Sequence, residues 1–192
     1  KDGPLQGWRK VEYSVPLYPD TMNLIQTLED GRVMAFAGGY GEAALFDPTT
    51  GKATRLGKQV GSVYSVTTLN GKVYTGAYAG TKVAEIDPSR PWTPAAGSSM
   101  DTPPTPASKG GAKNEEEDVD ADLNAAAGAN PRLLAVLKEE TSVHIPMAAA
   151  AGGDGRLYFG GKEIRTGDGG GFGWCRPPAE GRPVEKGGVK LP

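Results

Sequence analysis

A stretch of the chain repeats itself at a constant spacing. Residues 30–51 (DGRVMAFAGGYGEAALFDPTTG) are followed by a similar segment at 70–90 (NGKVYTGAYAGTKVAEIDPSR). Counted between equivalent glycines, and again between equivalent Asp-Pro pairs, the spacing is 40 residues both times. A third copy, with a longer internal loop, begins at Asp154 (DGRLYFGGKEIRTGDGGGFGWCRP). The chain is therefore built from units of about forty residues.

Each unit begins with a pair of residues typical of a tight hairpin turn. These pairs are Asp30-Gly31, Asn70-Gly71 and Asp154-Gly155. A type I′ turn needs positive φ at both central positions, which Asn, Asp and Gly tolerate. We therefore predict type I′ turns between the first and second strands of each unit.

Short alternating segments and a second kind of turn complete the unit. The strand after each hairpin alternates apolar and variable residues, as a half-buried strand does. The third strand of two units ends at Asp47-Pro48 and at Asp87-Pro88. Proline presets the turn, and the aspartate is expected to accept hydrogen bonds from the turn amides. Units of this length made of strands and turns are typical of β-propeller blades.

The predicted fold is all-β: a partial β-propeller of about three four-stranded antiparallel blades. The predicted blades are residues 22–60, residues 61–93 together with 129–141, and residues 142–192, while residues 1–21 are expected to end an upstream blade. The 29 glycines and 16 prolines agree with a chain rich in turns.

A low-complexity insertion interrupts the second blade over residues 94–128. Residues 94–131 carry seven acids and two lysines, and such a composition buries too little apolar surface to offset the entropy of ordering. We predict a disordered insertion; an acidic calcium- or partner-binding arm is the alternative, although its acidic run lacks the glycine-bearing loop of calcium sites. After it, residues 133–137 (LLAVL) predict either the missing outer strand or a short helix that continues through Lys138 and Glu139.

The composition excludes several kinds of site within this chain. One histidine and one cysteine cannot by themselves form a zinc cage or a disulfide. Cys175 is interpreted as a small buried apolar residue of a strand. The glycine-rich run at 167–171 is interpreted as a blade loop, because no helix follows it as in a phosphate-binding motif.

The repeats resemble those of known bacterial propellers. The pattern [DN]-G-[RK]-[LV]-[YM], a glycine-rich loop and a strand ending in DP, with the later NPR and GGGFGW segments, resembles kelch-like, streptogramin-lyase-like (virginiamycin B lyase) and quinoprotein-like proteins. The resemblance covers about residues 22–90 and 130–188. It implies a propeller completed by the remaining blades of the same protein, and a secreted or periplasmic location, because such families are often exported. We expect three blades alone to leave the outer faces uncovered, exposing Leu24, Val33 and Ala44 at one end and Leu157, Phe159 and Trp174 at the other.

His144 is the candidate catalytic residue that the resemblance implies. In virginiamycin-type lyases a histidine at the central channel, with acidic partners and a metal, abstracts a proton and opens an ester ring. By that resemblance His144 is a general base or acid in a predicted innermost strand, with Glu163, Arg165 or Asp168 as partners. The alternative is an ordinary strand histidine hydrogen-bonded to a neighbour.

Two functions follow from this pattern. The first is a recognition or scaffold module that binds a small molecule, glycan or protein at loops around the central channel. The second is part of an exported lyase-type or related enzyme with its site at that channel. We expect no nucleic-acid partner and no membrane span, and the residues indicate no metal site and no particular cofactor.

Overall fold

The computed structural model describes residues 22–37, 42–93, 128–163, 169–179 and 182–191. Within these ranges the fold is all-β, with twelve strands in three four-stranded antiparallel sheets. This confirms the predicted fold class and number of blade-like sheets. Residues 1–21, predicted to end an upstream blade, and residues 94–127, nearly all of the predicted disordered insertion, lie outside the described residues.

The strands of each sheet follow one another in chain order. Sheet one contains β1 (Met22–Thr27), β2 (Val33–Ala37), β3 (Glu42–Asp47) and β4 (Lys52–Lys58). Sheet two contains β5 (Ser62–Leu69), β6 (Lys72–Tyr78), β7 (Lys82–Ile86) and β8 (Arg132–Val136). Sheet three contains β9 (Ile145–Ala151), β10 (Leu157–Lys162), β11 (Gly170–Arg176) and β12 (Glu185–Leu191). One helical turn, α1 (Lys138–Thr141), connects sheets two and three. The LLAVL segment is thus the outer strand of sheet two, and the helix begins only after it.

The predicted type I′ turn is present in the second unit and absent from the other two. Asn70 and Gly71 have φ of 53° and 73°. In the first unit the loop has three residues: the Gly31 amide donates to Leu28 O at 3.0 Å, the Leu28 amide donates to Arg32 O at 2.8 Å, and Gly31 has φ of 85°. Such loops need positive φ only at their last residue, so the prediction was wrong there.

The third unit repeats the three-residue loop. The Gly155 amide donates to Gly152 O at 3.0 Å, and the Gly152 amide donates to Arg156 O at 2.8 Å. The aspartate of the loop has a different role from the predicted one, because Asp154 Oδ1 accepts from the Arg156 amide at 3.1 Å. An aspartate that accepts from the amide two residues later stabilises the turn in this way without positive φ.

The Asp-Pro turns form as predicted. Asp47 Oδ1 accepts from the Thr49 amide at 2.8 Å, and Asp87 Oδ1 accepts from the Ser89 amide at 3.0 Å. The pKa of Asp47 lies below its usual value. The main cause is a hydrogen bond from the Thr50 hydroxyl, and the hydrogen bond from the Thr49 amide lowers the pKa further. Each aspartate therefore closes its turn as a carboxylate.

The three sheets pack face to face, with sheet two in the middle. One apolar cluster lies between sheets one and two: Leu28, Met34, Phe36, Ala43, Val63, Val73, Ala77 and Ile86. A second lies between sheets two and three: Tyr74, Val83, Leu134, Ala135, Leu137, Leu157, Phe159 and Cys175. Alternate residues of β6 point into opposite clusters, because successive strand side chains face opposite sides of a sheet.

The first strands of the three sheets lie side by side, because β5 contacts both β1 and β9. We call the end at which β1, β5 and β9 begin the upper end, and the opposite end the lower end. The connections from one sheet to the next (59–61 and 137–144) and the β6–β7 and β10–β11 loops all lie at the upper end. Among the described residues, no helix is long and apolar enough to cross a membrane.

Candidate functional site

His144 lies at the upper end, between sheets two and three. The strand was predicted to include this residue, but β9 begins at Ile145, so His144 immediately precedes it. His144 is 7% exposed. Its amide donates to Lys162 O at 3.1 Å, and its carbonyl accepts from the Gly80 amide at 3.2 Å. The backbone of His144 therefore ties the β6–β7 loop of one sheet to β10 of the next.

The partners proposed for His144 follow β10 in the sequence. Glu163 directly follows Lys162, the residue whose carbonyl accepts from His144, and the Glu163 amide donates to Gly169 O at 3.4 Å. The structure thus brings His144 and Glu163 to the same end of the fold. Arg165 and Asp168 lie outside the described residues.

The junction around His144 is fixed by backbone and hydroxyl hydrogen bonds. Thr81 Oγ1 donates to Val143 O at 2.9 Å, and Thr81 O accepts from the Leu137 amide at 3.2 Å. Gly80 has φ of 79°, and a Cβ built there would lie 3.1 Å from Lys138 Cβ. Only glycine suits both the backbone conformation and the close approach. These contacts fix the β6–β7 loop against residues 137–144.

A buried polar cluster between sheets two and three was not predicted from the sequence. Glu85, 8% exposed, pairs with Lys72 Nζ and with Arg132 Nη2, both at 3.0 Å. The Tyr74 hydroxyl donates to Glu85 Oε2 at 3.1 Å. Burial raises the pKa of Tyr74, and the negative charge of Glu85 raises it further. The Glu85 carboxylate therefore joins side chains from β6 and β8 through three contacts.

Asn130 closes the base of the insertion. Its backbone exchanges hydrogen bonds with Thr93, at 2.8 and 3.1 Å. Its side-chain Nδ2 donates to the carbonyls of Asp87 (2.9 Å), Arg90 (3.3 Å) and Pro91 (3.2 Å), and its Oδ1 accepts from the Asp87 amide at 2.9 Å. The chain therefore leaves sheet two after Thr93 and returns beside it. The NPR segment is the only sequence signal that pointed to this residue.

Within the described ranges, no group of three or more His, Cys, Asp or Glu side chains is arranged to hold a metal ion. No protein-family model matches the chain, and no curated protein matches it. The structure shows three blade-like, four-stranded antiparallel sheets.

Proposed function

We propose that this protein is a β-propeller recognition module that binds its ligand at the upper-end loops. The observation that carries the proposal is the side-by-side arrangement of β1, β5 and β9. In a propeller the first strands surround the central channel, and ligands bind where their connecting loops meet. The ligand class is a small molecule, a glycan or a protein segment.

The fixed contacts between the β6–β7 loop and residues 137–144 support a binding role. The hydrogen bonds of Thr81, Gly80 and His144 fix the loops of adjacent sheets relative to one another. A preorganised surface loses little conformational entropy on binding. The partly exposed side chains of Lys138 and Glu163 offer groups of both charges at this end. The repeats resemble those of kelch-like and lyase-like propellers, which favours an extracytoplasmic setting for this module.

The test is a ligand screen followed by charge exchange at either end. The protein is applied to an array of immobilised glycans and peptides, and hits are measured by calorimetry. The upper-end variant Lys138→Glu/Glu163→Lys keeps the net charge, as does the lower-end control Lys52→Glu/Glu185→Lys. We expect the upper-end variant to weaken binding by about tenfold or more, as the loss of a charged hydrogen bond does, and the control to bind normally.

Two results would contradict the proposal. Binding that survives the upper-end exchange and is lost in the lower-end control would place the site elsewhere. A ring-opening activity on a cyclic ester, lost in His144→Ala, would replace recognition by catalysis.

A further inference from the structure

Two glycines on the inner face of sheet three receive the helical turn α1. Gly173 of β11 and Gly188 of β12 are cross-strand partners, and we call them the glycine pair. A Cβ built on Gly173 would overlap the methyl group of Thr141, and one built on Gly188 would lie 2.7 Å from the same methyl carbon. Carbon atoms pack at about 3.5–4.0 Å from one another. The methyl group of Thr141 therefore occupies space that side chains at these two positions would fill.

The other two sheets carry side chains at the equivalent positions. Gly173, Ala84 and Ala44 each pair with the residue four positions after the hairpin glycine of their unit. The next strand supplies Leu133 as the partner of Ala84, and Arg55 as the partner of Ala44. Of the two described connections between sheets, only the one that enters sheet three contains a helical turn. The glycine pair therefore occurs in the sheet against which α1 packs.

Thr141 also holds the end of α1 through its hydroxyl group. The residue is 1% exposed. Its Oγ1 donates to Leu137 O at 2.7 Å and accepts from the Val143 amide at 3.0 Å. Val143 O accepts from Thr81 Oγ1, and the residue after Val143 is His144. One side chain thus contacts sheet three through its methyl group and the backbone that leads to His144 through its hydroxyl.

A lysine of β12 joins the same turn to sheet three at a second point. Lys186 Nζ donates to Val136 O at 3.0 Å and pairs with Glu140 Oε1 at 2.8 Å. Lys186 is the cross-strand partner of Cys175, whose side chain lies in the cluster with sheet two, so both are on the inner face. The position of α1 is therefore set by the strands of sheet three.

We propose that Thr141 is a positioning residue for the upper-end site. Seated in the glycine pair, it sets the backbone of residues 143–144. The His144 amide donates to Lys162 O, and its carbonyl accepts from the Gly80 amide. A displacement of Thr141 therefore reaches the end of β10 and the β6–β7 loop through hydrogen bonds. The importance of this site for a ligand rests on the function proposed above, whereas the positioning of His144 does not.

Moving one methyl group between two partners tests the proposal. Gly173→Ala adds a methyl group where that of Thr141 lies, whereas Thr141→Ser removes the Thr141 methyl group and keeps its hydroxyl. The chain has a single histidine, so the imidazole resonances of protein made with isotope-labelled histidine report on His144 alone. We expect Gly173→Ala to shift these resonances and to speed hydrogen exchange of the His144 amide by about tenfold. Gly173→Ala/Thr141→Ser is expected to return both toward the wild-type values.

Two further variants make the test specific. Gly160→Ala is the matched control in the same sheet, because a Cβ there would lie 3.7 Å from the nearest atom beyond its chain neighbours. It is expected to leave the His144 resonances unchanged. Thr141→Val keeps a methyl group in the glycine pair and removes the hydroxyl, so it is expected to shift them. This variant also tests the proposal if Gly173→Ala does not fold, which circular dichroism shows.

Several results would overturn the proposal. Unchanged imidazole resonances in folded Gly173→Ala would mean that α1 stabilises sheet three without positioning His144. So would a double variant as far from wild type as Gly173→Ala, or a Thr141→Val protein with wild-type resonances. An equal shift in Gly160→Ala would show that any substitution in sheet three has this effect. Because no ligand enters the measurement, its outcome is separate from the test of the recognition function.

Discussion

The two interfaces between sheets join sheets of the same strand order but bury different side chains. The interface between sheets one and two buries the uncharged Thr75 beside its apolar cluster, whereas the interface between sheets two and three buries the carboxylate of Glu85 with its partners. Leu45 stands in the first unit where Glu85 stands in the second. Arg132 comes from β8, which follows the insertion. The repeat therefore determines the order and pairing of the strands, whereas single positions determine which side chains each interface buries.

The largest expected effect comes from emptying either apolar cluster. Phe36 is 0% exposed in the first cluster and Phe159 is 1% exposed in the second. Phe36→Ala and Phe159→Ala are each expected to lower the free energy of unfolding by about 3–5 kcal/mol, because each leaves a cavity. Urea denaturation measures the loss, and Phe172→Ala, at an exposed position, is the matched control. A loss in only one of the buried variants would show that the two interfaces do not contribute equally.

Removing the carboxylate from the second interface is expected to have a smaller effect. Glu85→Leu copies the residue of the first unit but leaves the Tyr74 hydroxyl buried without its acceptor. We expect a loss of about 1–3 kcal/mol in the free energy of unfolding. Adding Tyr74→Phe should recover part of that loss, because both partners are then apolar. A double variant no more stable than the single one would contradict the structural role of this pair.

The base of the insertion is expected to contribute about as much as a few hydrogen bonds. Asn130→Ala leaves the carbonyls of Asp87, Arg90 and Pro91 without their donor, and should cost about 1–2 kcal/mol. Asn130→Asp is expected to cost more, because its carboxylate would face those carbonyl oxygens. Chemical denaturation compares the two variants, and an alanine variant less stable than the aspartate variant would refute this account.

The smallest expected effect is a pH dependence from the second interface. Burial raises the pKa of Cys175 to about 12, whereas an unfolded thiol ionises near about 8.5. Above that value the unfolded state loses a proton that the folded state keeps, so stability falls as pH rises toward 12. Between pH 8.5 and 9.5 we expect a decrease of about 1 kcal/mol, absent in Cys175→Ala. Rapid reaction of the folded protein with a thiol reagent at pH 8 would contradict this burial.

The order and pairing of the strands could be predicted from the sequence because the signals for them are local. The spacing of hairpin and Asp-Pro turns gave the order and pairing of the strands, since each turn forms within a few residues. The shorter turn at Asn70-Gly71 and the longer loop at Glu29 to Gly31 could not be distinguished, because both contain similar dipeptides.

Local sequence signals predicted neither which neighbour covers each face of a sheet nor the buried polar cluster around Glu85. The prediction that Leu157 and Phe159 would be uncovered was wrong, because alternation shows which residues share a face but not which neighbour that face meets; both are buried against sheet two. Glu85 and Arg132 are 47 residues apart. Because the insertion separates them, the repeat spacing does not predict that they pair. The catalytic roles of His144, Glu163, Arg165 and Asp168 stay predictions. His144 and Glu163 lie at one end of the fold, and the other two lie outside the described residues.

Sheet two lies between the other two sheets, and nuclear Overhauser effects test this arrangement most directly. We predict contacts from the Phe36 ring to the methyl groups of Val63 and Val73, and from the Phe159 ring to the Gly76 α-protons, since the Phe159 ring lies against Gly76. Contacts between the Phe36 and Phe159 rings would instead mean that sheets one and three pack together, and would contradict the account.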